Sequence, residues 1–95
     1  METGHIVESM FRGIYIVRVS KRLYHLAEVF RNWCREYDPQ AAWVHDVEHL
    51  KTSISKIGFD SAFGTSFFYF IEEEAKDKFM ELIEKYRTAD GKDYE

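Results

Sequence analysis

Cysteine and proline occur once each in this sequence, and long apolar runs do not occur at all. A lone thiol, Cys34, excludes an internal disulfide and fits a reducing cytoplasm. No apolar stretch approaches the roughly 20 residues that a membrane-spanning helix needs. The opening residues Met1-Glu2-Thr3-Gly4-His5 lack the basic start and apolar core of a secretory signal. The expectation is a soluble cytoplasmic protein with no membrane partner. Glycine is also sparse. Gly58 and Gly64 stand six apart with no Lys-Ser/Thr after Gly64, which excludes a P-loop. A Gly-x-Ser-x-Gly nucleophile elbow is absent as well. No cofactor is implied.

Large rings are what the chain has in quantity: eight Phe, six Tyr and two Trp among 95 residues. A chain of this length forms one domain, residues 1–95, and its rings offset the limited area that a small core buries. The net charge of −4 is uneven. Residues 1–36 carry six Lys/Arg against four acids, and residues 72–95 carry five against nine, which gives a mildly basic and an acidic end.

The run Phe67-Phe68-Tyr69-Phe70-Ile71 is too apolar to leave in water and predicts a buried strand over residues 66–71. It passes directly into a helix predicted over 72–87, with Ala75, Phe79, Leu82, Ile83 and Tyr86 along one stripe. Acids at Glu72, Glu73, Glu74 and Asp77 suit the positive end of its dipole. Residues 11–19 are rich in β-branched and aromatic side chains and predict a strand, with Gly13 at a bulge or a close contact. From Ser20, a candidate cap, a helix is predicted over 21–37 with Leu23, Leu26, Phe30, Trp33, Cys34 and Tyr37 on one side. Asp38-Pro39 then either caps a second, shorter helix over 39–50, or leads through a loop into an early strand. Residues 52–57 predict a strand and 58–64 a long turn. Residues 1–9 read as a loose arm or a short edge segment, and 88–95 as a flexible tail.

The predicted fold class is α+β: a small antiparallel sheet with helices packed on one face, in the ferredoxin-like order β-α-(α)-β-β-α. Alternation along the aromatic strand would give Phe67, Tyr69 and Ile71 to the helix-packed core. Phe68 and Phe70 would then need a second cover.

Candidate chemistry is thin. His45 and His49, four apart on the proposed short helix, have the spacing of two metal ligands but lack a nominated third. Cys34, beside Trp33 near a helix C-terminus, reads as a small buried hydrophobe rather than a nucleophile. No catalytic residue is nominated, and the expectation is a protein that is not an enzyme. Residues 62–75, from Ala62-Phe63-Gly64 through Phe67-Phe68-Tyr69-Phe70 to Ala75, resemble the third strand and following helix of RNA recognition motifs. Ile14-Tyr15-Ile16-Val17 would match that family's first strand. The resemblance implies binding of RNA or single-stranded DNA, with Tyr15 and Tyr69 as stacking rings. The basic residue that opens the family's motif is absent before Gly64, and the chain is acidic where such binders are basic.

The aromatic surplus favours a protein partner. The expected function is a non-enzymatic binding or regulatory module, of the inhibitor or adaptor type that phages and plasmids encode. It would act by stoichiometric association through an aromatic sheet face, including association with its own copy as a homodimer. The candidate partner-binding residues are Tyr15, Trp43, Phe68 and Phe70, with Arg18 and Arg22 at the rim.

Overall fold

The computed structural model describes residues 4–89, and side chains for residues 5–86. The elements run β1 (Gly4–Phe11), β2 (Ile14–Lys21), a 3-10 turn (Arg22–Leu26), α1 (Ala27–Tyr37), β3 (Ala42–Trp43), α2 (Val47–Lys51), β4 (Ile57–Ala62), β5 (Thr65–Phe70) and α3 (Glu73–Ala89). They build one mixed five-stranded sheet in the order β1-β2-β5-β4-β3. The α+β class stands. The ferredoxin-like order is not confirmed, because β1 and β3 are added to the expected succession, and β3 joins β4 in parallel, so the sheet is not purely antiparallel. Residues 90–95 of the expected tail lie outside the described residues, whereas residues 4–9 are an edge strand paired with β2 along its whole length.

Two tight turns account for the strands that sequence patterning placed differently. Arg12-Gly13 and Phe63-Gly64 each have both residues at positive φ (55° and 82°, 53° and 74°), the requirement of a type I′ hairpin. Gly13 therefore turns the chain between two strands instead of bulging one. The expected long turn at 58–64 is mostly strand β4. Gly58 belongs in that strand because a Cβ there would lie 2.8 Å from Val44 Cγ2.

The predicted helix over 39–50 gives way to a loop, the two residues of β3 and the single turn-and-a-half of α2. Asp38 is the reason. It ends α1 instead of starting a helix, and its Oδ1 accepts the Gln40 N–H at 3.0 Å. Its Oδ2 accepts the Lys56 N–H at 2.8 Å, which ties the loop to the entry of β4. The Ser55 hydroxyl donates to the Gln40 carbonyl and closes the same loop. The cap of α2 is Asp46, whose Oδ1 accepts the His49 N–H at 3.1 Å.

The main core lies between the sheet and the helices α1 and α3. Val17, Val19, Ile57, Phe59, Phe68 and Phe70 of the sheet meet Ala27, Phe30 and Cys34 of α1 and Ala75, Phe79 and Ile83 of α3. Phe79 is central, with its ring centroid 4.7 Å from Phe68, 5.1 Å from Phe70 and 5.9 Å from both Phe30 and Trp33. The expected face assignment of β5 is thus reversed. Phe68 and Phe70 serve the two long helices, and Phe67 and Tyr69 lie on the opposite face. Helices are not confined to one face either: Val47 and Leu50 of α2 cover Ile14 and Tyr69 on that opposite side.

Phe63 is fully exposed and holds a left-handed backbone that suits Asn or Gly far better. Phe63→Asn is expected to stabilise the fold by about 1 kcal/mol, read as a rise in thermal midpoint of about 4–8 °C.

Candidate functional site

The face opposite α1 and α3 is only half covered. Strand register sets its rows. One row runs Ser9, Ile16, Tyr69, Gly58 and Ala42 across all five strands. The next runs Val7, Arg18, Phe67 and Asp60. The third begins His5 and Ser20, with Thr65 beyond them on β5. α2 and the preceding Val44 cover the middle of the first row, at Ile16 and Tyr69, whereas Ser9 and Ala42 at its ends are exposed. Apart from Phe67, which packs at the margin of this cover, they leave the other two rows open because α2 is too short to reach them.

The open half holds a cavity of about 170 Å³ lined by His5, Val7, Arg18, Ser20 and Thr65. Its polar groups converge from three adjacent strands. His5 Nδ1 and Ser20 Oγ share a hydrogen bond at 3.2 Å. Arg18 is exposed, and among the described residues it makes no hydrogen bond or ion pair. Beside it, the half-buried Phe67 ring stacks on Tyr69 at 6.4 Å between centroids and 27° between planes. Burial and the neighbouring Asp60 carboxylate push the Tyr69 hydroxyl up to about 12, so it stays protonated. A second cavity, about 260 Å³, lies across Asp60 and is lined by Trp43, Val44, His45 and Asp60.

The two margins of the sheet differ. On one side β3 offers two residues. On the other, β1 offers eight, and among the described residues nothing pairs with its outer edge. Met10 and Phe11 are exposed near the turn of that hairpin. Arg12 packs over the Phe11 ring at 5.1 Å and reaches Glu48 of α2 at 3.4 Å. Glu8 points to the helix side, where it meets Lys76 at 3.2 Å.

The six residues nominated from sequence do not form one surface. Phe68 and Phe70 have no exposure and can contact no partner in this fold. Tyr15 packs at the margin of the main core with the Lys76 amine 5.6 Å from its ring centroid. Arg22 lies in the 3-10 turn with Nε and Nη2 buried, so it is no rim residue. Trp43 is 54% exposed, but on the far edge, under the Arg31 guanidinium at 4.9 Å. Only Arg18 stands on the open face. Sequence reasoning missed Phe11, Phe63, Phe67 and His5. The signal for two of them was an X-Gly pair between strand-like runs, which places Phe63 at a hairpin tip and Phe11 just before one.

The stacking pair implied by the likeness to RNA recognition motifs is divided by the sheet. Tyr15 is opposite Phe70 in register and shares its face, whereas Tyr69 lies on the other side, 7% exposed under α2. The His45 and His49 rings are 5.1 Å apart, and His49 Nδ1 is 2.9 Å from Asp46 Oδ1. Among the described residues, no three His, Cys, Asp or Glu side chains gather to hold a metal ion. Cys34 is fully buried, and burial pushes its thiol well above the ordinary range, which removes its nucleophilic form. Among the described residues, no helix is long and apolar enough to cross a membrane.

Compared with known proteins, the chain matches no family model, no curated protein and no solved structure.

Two neighbours in β5 separate core from face. Phe68→Ala is expected to cost about 3–5 kcal/mol in urea unfolding, as full removal of a buried ring does. Phe67→Ala, at a half-buried position, should cost less than half as much. Cys34 should resist a thiol reagent in the native protein and react stoichiometrically in urea.

Proposed function

We propose that this protein is a non-enzymatic binding module, of the inhibitor or adaptor type, that works by stoichiometric association through the free edge of β1. The observation that carries this is the contrast between the two margins of the sheet. Proteins protect exposed edges with proline, inward-pointing charge, bulges or short strands. The β3 edge is protected by being two residues long. The β1 edge has eight residues in unbroken register with β2, Gly4–Phe11 contains neither proline nor lysine, and its one charge on the helix side, Glu8, is paired with Lys76 at 3.2 Å.

Hairpin geometry supports the same reading. Residues flanking a two-residue turn exchange both backbone bonds, and the pattern alternates from there. Phe11, Ser9, Val7 and His5 bond inward to β2, so Ile6, Glu8 and Met10 direct their N–H and C=O groups outward. A partner strand adds to such a template through main-chain hydrogen bonds.

The simplest partner is a second copy. Antiparallel self-pairing about Val7 sets Ile6 opposite Glu8 and His5 opposite Ser9, with Val7 meeting its own copy on the two-fold axis. Every outward-bonding residue then meets another outward-bonding one. Shifting the axis to Glu8 would oppose two like charges, which destabilises a ladder. The absence of a nucleophile elbow from the sequence, and the sequestered thiol of Cys34, favour binding over catalysis.

Light scattering is expected to give a dimer mass at micromolar concentration, with slow amide exchange at Ile6, Glu8 and Met10. Glu8→Pro removes one outward N–H and should return the protein to a monomer, whereas Glu8→Ala should remain a dimer. A monomer at millimolar concentration whose Ile6, Glu8 and Met10 amides exchange freely removes self-pairing.

A further inference from the structure

The open half of the sheet face carries a second site, independent of the β1 edge. We propose that the cavity formed by His5, Arg18, Ser20 and Thr65 binds the phosphoryl group of a small organic phosphate, with the organic part lying against Phe67.

The first support is charge. The chain carries an excess of acids, 17 against 13 Lys and Arg, yet the guanidinium of Arg18 has no carboxylate partner among the described residues. Among the described residues, no acid lines its cavity. The nearest acid on this face in register is Asp60, on the far side of Phe67, and its carboxylate is engaged with the Ser61 N–H at 2.8 Å. Glu8, adjacent in sequence to Val7, faces the opposite side and is held by Lys76. A cation left uncompensated in an acidic protein, with apolar Val7 and Phe67 on its two sides in the sheet, is a site for an incoming anion.

The second support is the donor set. A guanidinium offers a planar fork that matches two oxygens of a phosphoryl group. Ser20 and Thr65 add hydroxyls, and the imidazole of His5 is oriented by its contact with Ser20 Oγ at 3.2 Å. These groups come from β1, β2 and β5, three hydrogen-bonded strands of one sheet, so their spacing is fixed by the ladder and not by loops. A volume of about 170 Å³ is the space of about five or six liquid waters, enough for a tetrahedral oxyanion.

The third support gives the ligand its organic part. Phe67 is directly opposite Arg18 in the β2–β5 register, and its partly exposed ring is stacked on Tyr69 at the margin of the α2 cluster. An anion held at Arg18 places whatever it is bonded to over that ring. A planar base attached to the phosphate gains stacking there, and inorganic phosphate does not.

The test is an amide chemical-shift titration of the intact chain at low salt with three probes: inorganic phosphate, adenosine 5′-monophosphate and adenosine. Phosphate is expected to move the amides of Val7, Arg18, Ser20 and Thr65. The monophosphate is expected to bind at least threefold more tightly and to move Phe67 as well. Adenosine alone should leave all five in place. Arg18→Gln, an exposed substitution that should leave the thermal midpoint unchanged, is expected to weaken both anions at least tenfold. Arg31→Gln, on the other face, should change neither. Phe67→Ala should bring the monophosphate down to the affinity of phosphate. Wild-type affinity in Arg18→Gln, or no shifts at 10 mM phosphate, overturns the site. Equal affinity for phosphate and the monophosphate overturns the role of Phe67, and tight binding of adenosine overturns the role of the anion.

Discussion

The contact between Phe79 and the β5 pair Phe68 and Phe70 determines the rest of this structure. A strand has two faces, and a shift of one residue exchanges them completely. Once α3 places Phe79 within 4.7 Å of Phe68 and 5.1 Å of Phe70, the orientation of every other residue in the sheet follows through the ladder. Val17 and Phe59 join Phe68 on the helix side, while Arg18, Phe67 and Asp60 are committed to the other. The core interaction thus decides which side chains remain to meet a ligand, although none of the three rings that make it touches solvent.

The same commitment explains why α2 matters. With Phe67 and Tyr69 turned away from the long helices, the second face needs its own cover. A helix capped at Asp46 and five residues long supplies Val47 and Leu50 to Ile14 and Tyr69, with Ile16 and Phe67 packed at the margin. Its reach ends at Phe67, beside Arg18 in the ladder. The open area is therefore a consequence of helix length, and Phe67 lies on its boundary.

Local patterns made β5, α3 and the later part of the helix expected over 21–37 legible in the sequence, because each has a strong period. The start of that helix was not legible, since Ser20 lies in β2 and caps nothing, and a 3-10 turn over Arg22–Leu26 precedes α1. The β5 run is continuous, and α3 carries an apolar stripe with acids at its start. Which face of β5 was inward was not legible. Phe, Phe, Tyr and Phe in succession give no alternation between apolar and polar, so parity depends on the Phe79 ring, nine residues beyond Phe70 in the helix stripe, and not on the strand itself. The 39–62 stretch was misleading for a different reason. Asp38-Pro39 is a good helix start locally, but the Asp38 carboxylate is taken by the backbone of Gln40 and of Lys56, eighteen residues on. Gly58 and Asp60 suggest a turn, yet one leaves room for Val44 and the other faces the open side. The candidate site was legible only at Arg18. His5 fell in a segment read as an arm, and Phe67 was assigned to the wrong face.

The proposed edge contact and the proposed anion cavity both use β1, and strand geometry keeps them apart. Hydrogen bonding acts in the plane of the sheet, while side chains project perpendicular to it. The outward groups of Ile6, Glu8 and Met10 point along the plane, and the side chains of these residues face α1 and α3. The cavity residues His5 and Val7 bond inward and project to the open face. Alternation assigns each function its own set of residues on one strand, so filling the edge leaves the cavity accessible. In a pair built about Val7, the two cavities would lie on the same face of a continuous ten-stranded sheet, related by the two-fold axis. Each Val7 would sit between its own Arg18 and the other copy's β1. That would place two cations on one surface of an acidic protein, three strand spacings apart, and make the open face of the pair more selective for anions than the net charge of −4 suggests.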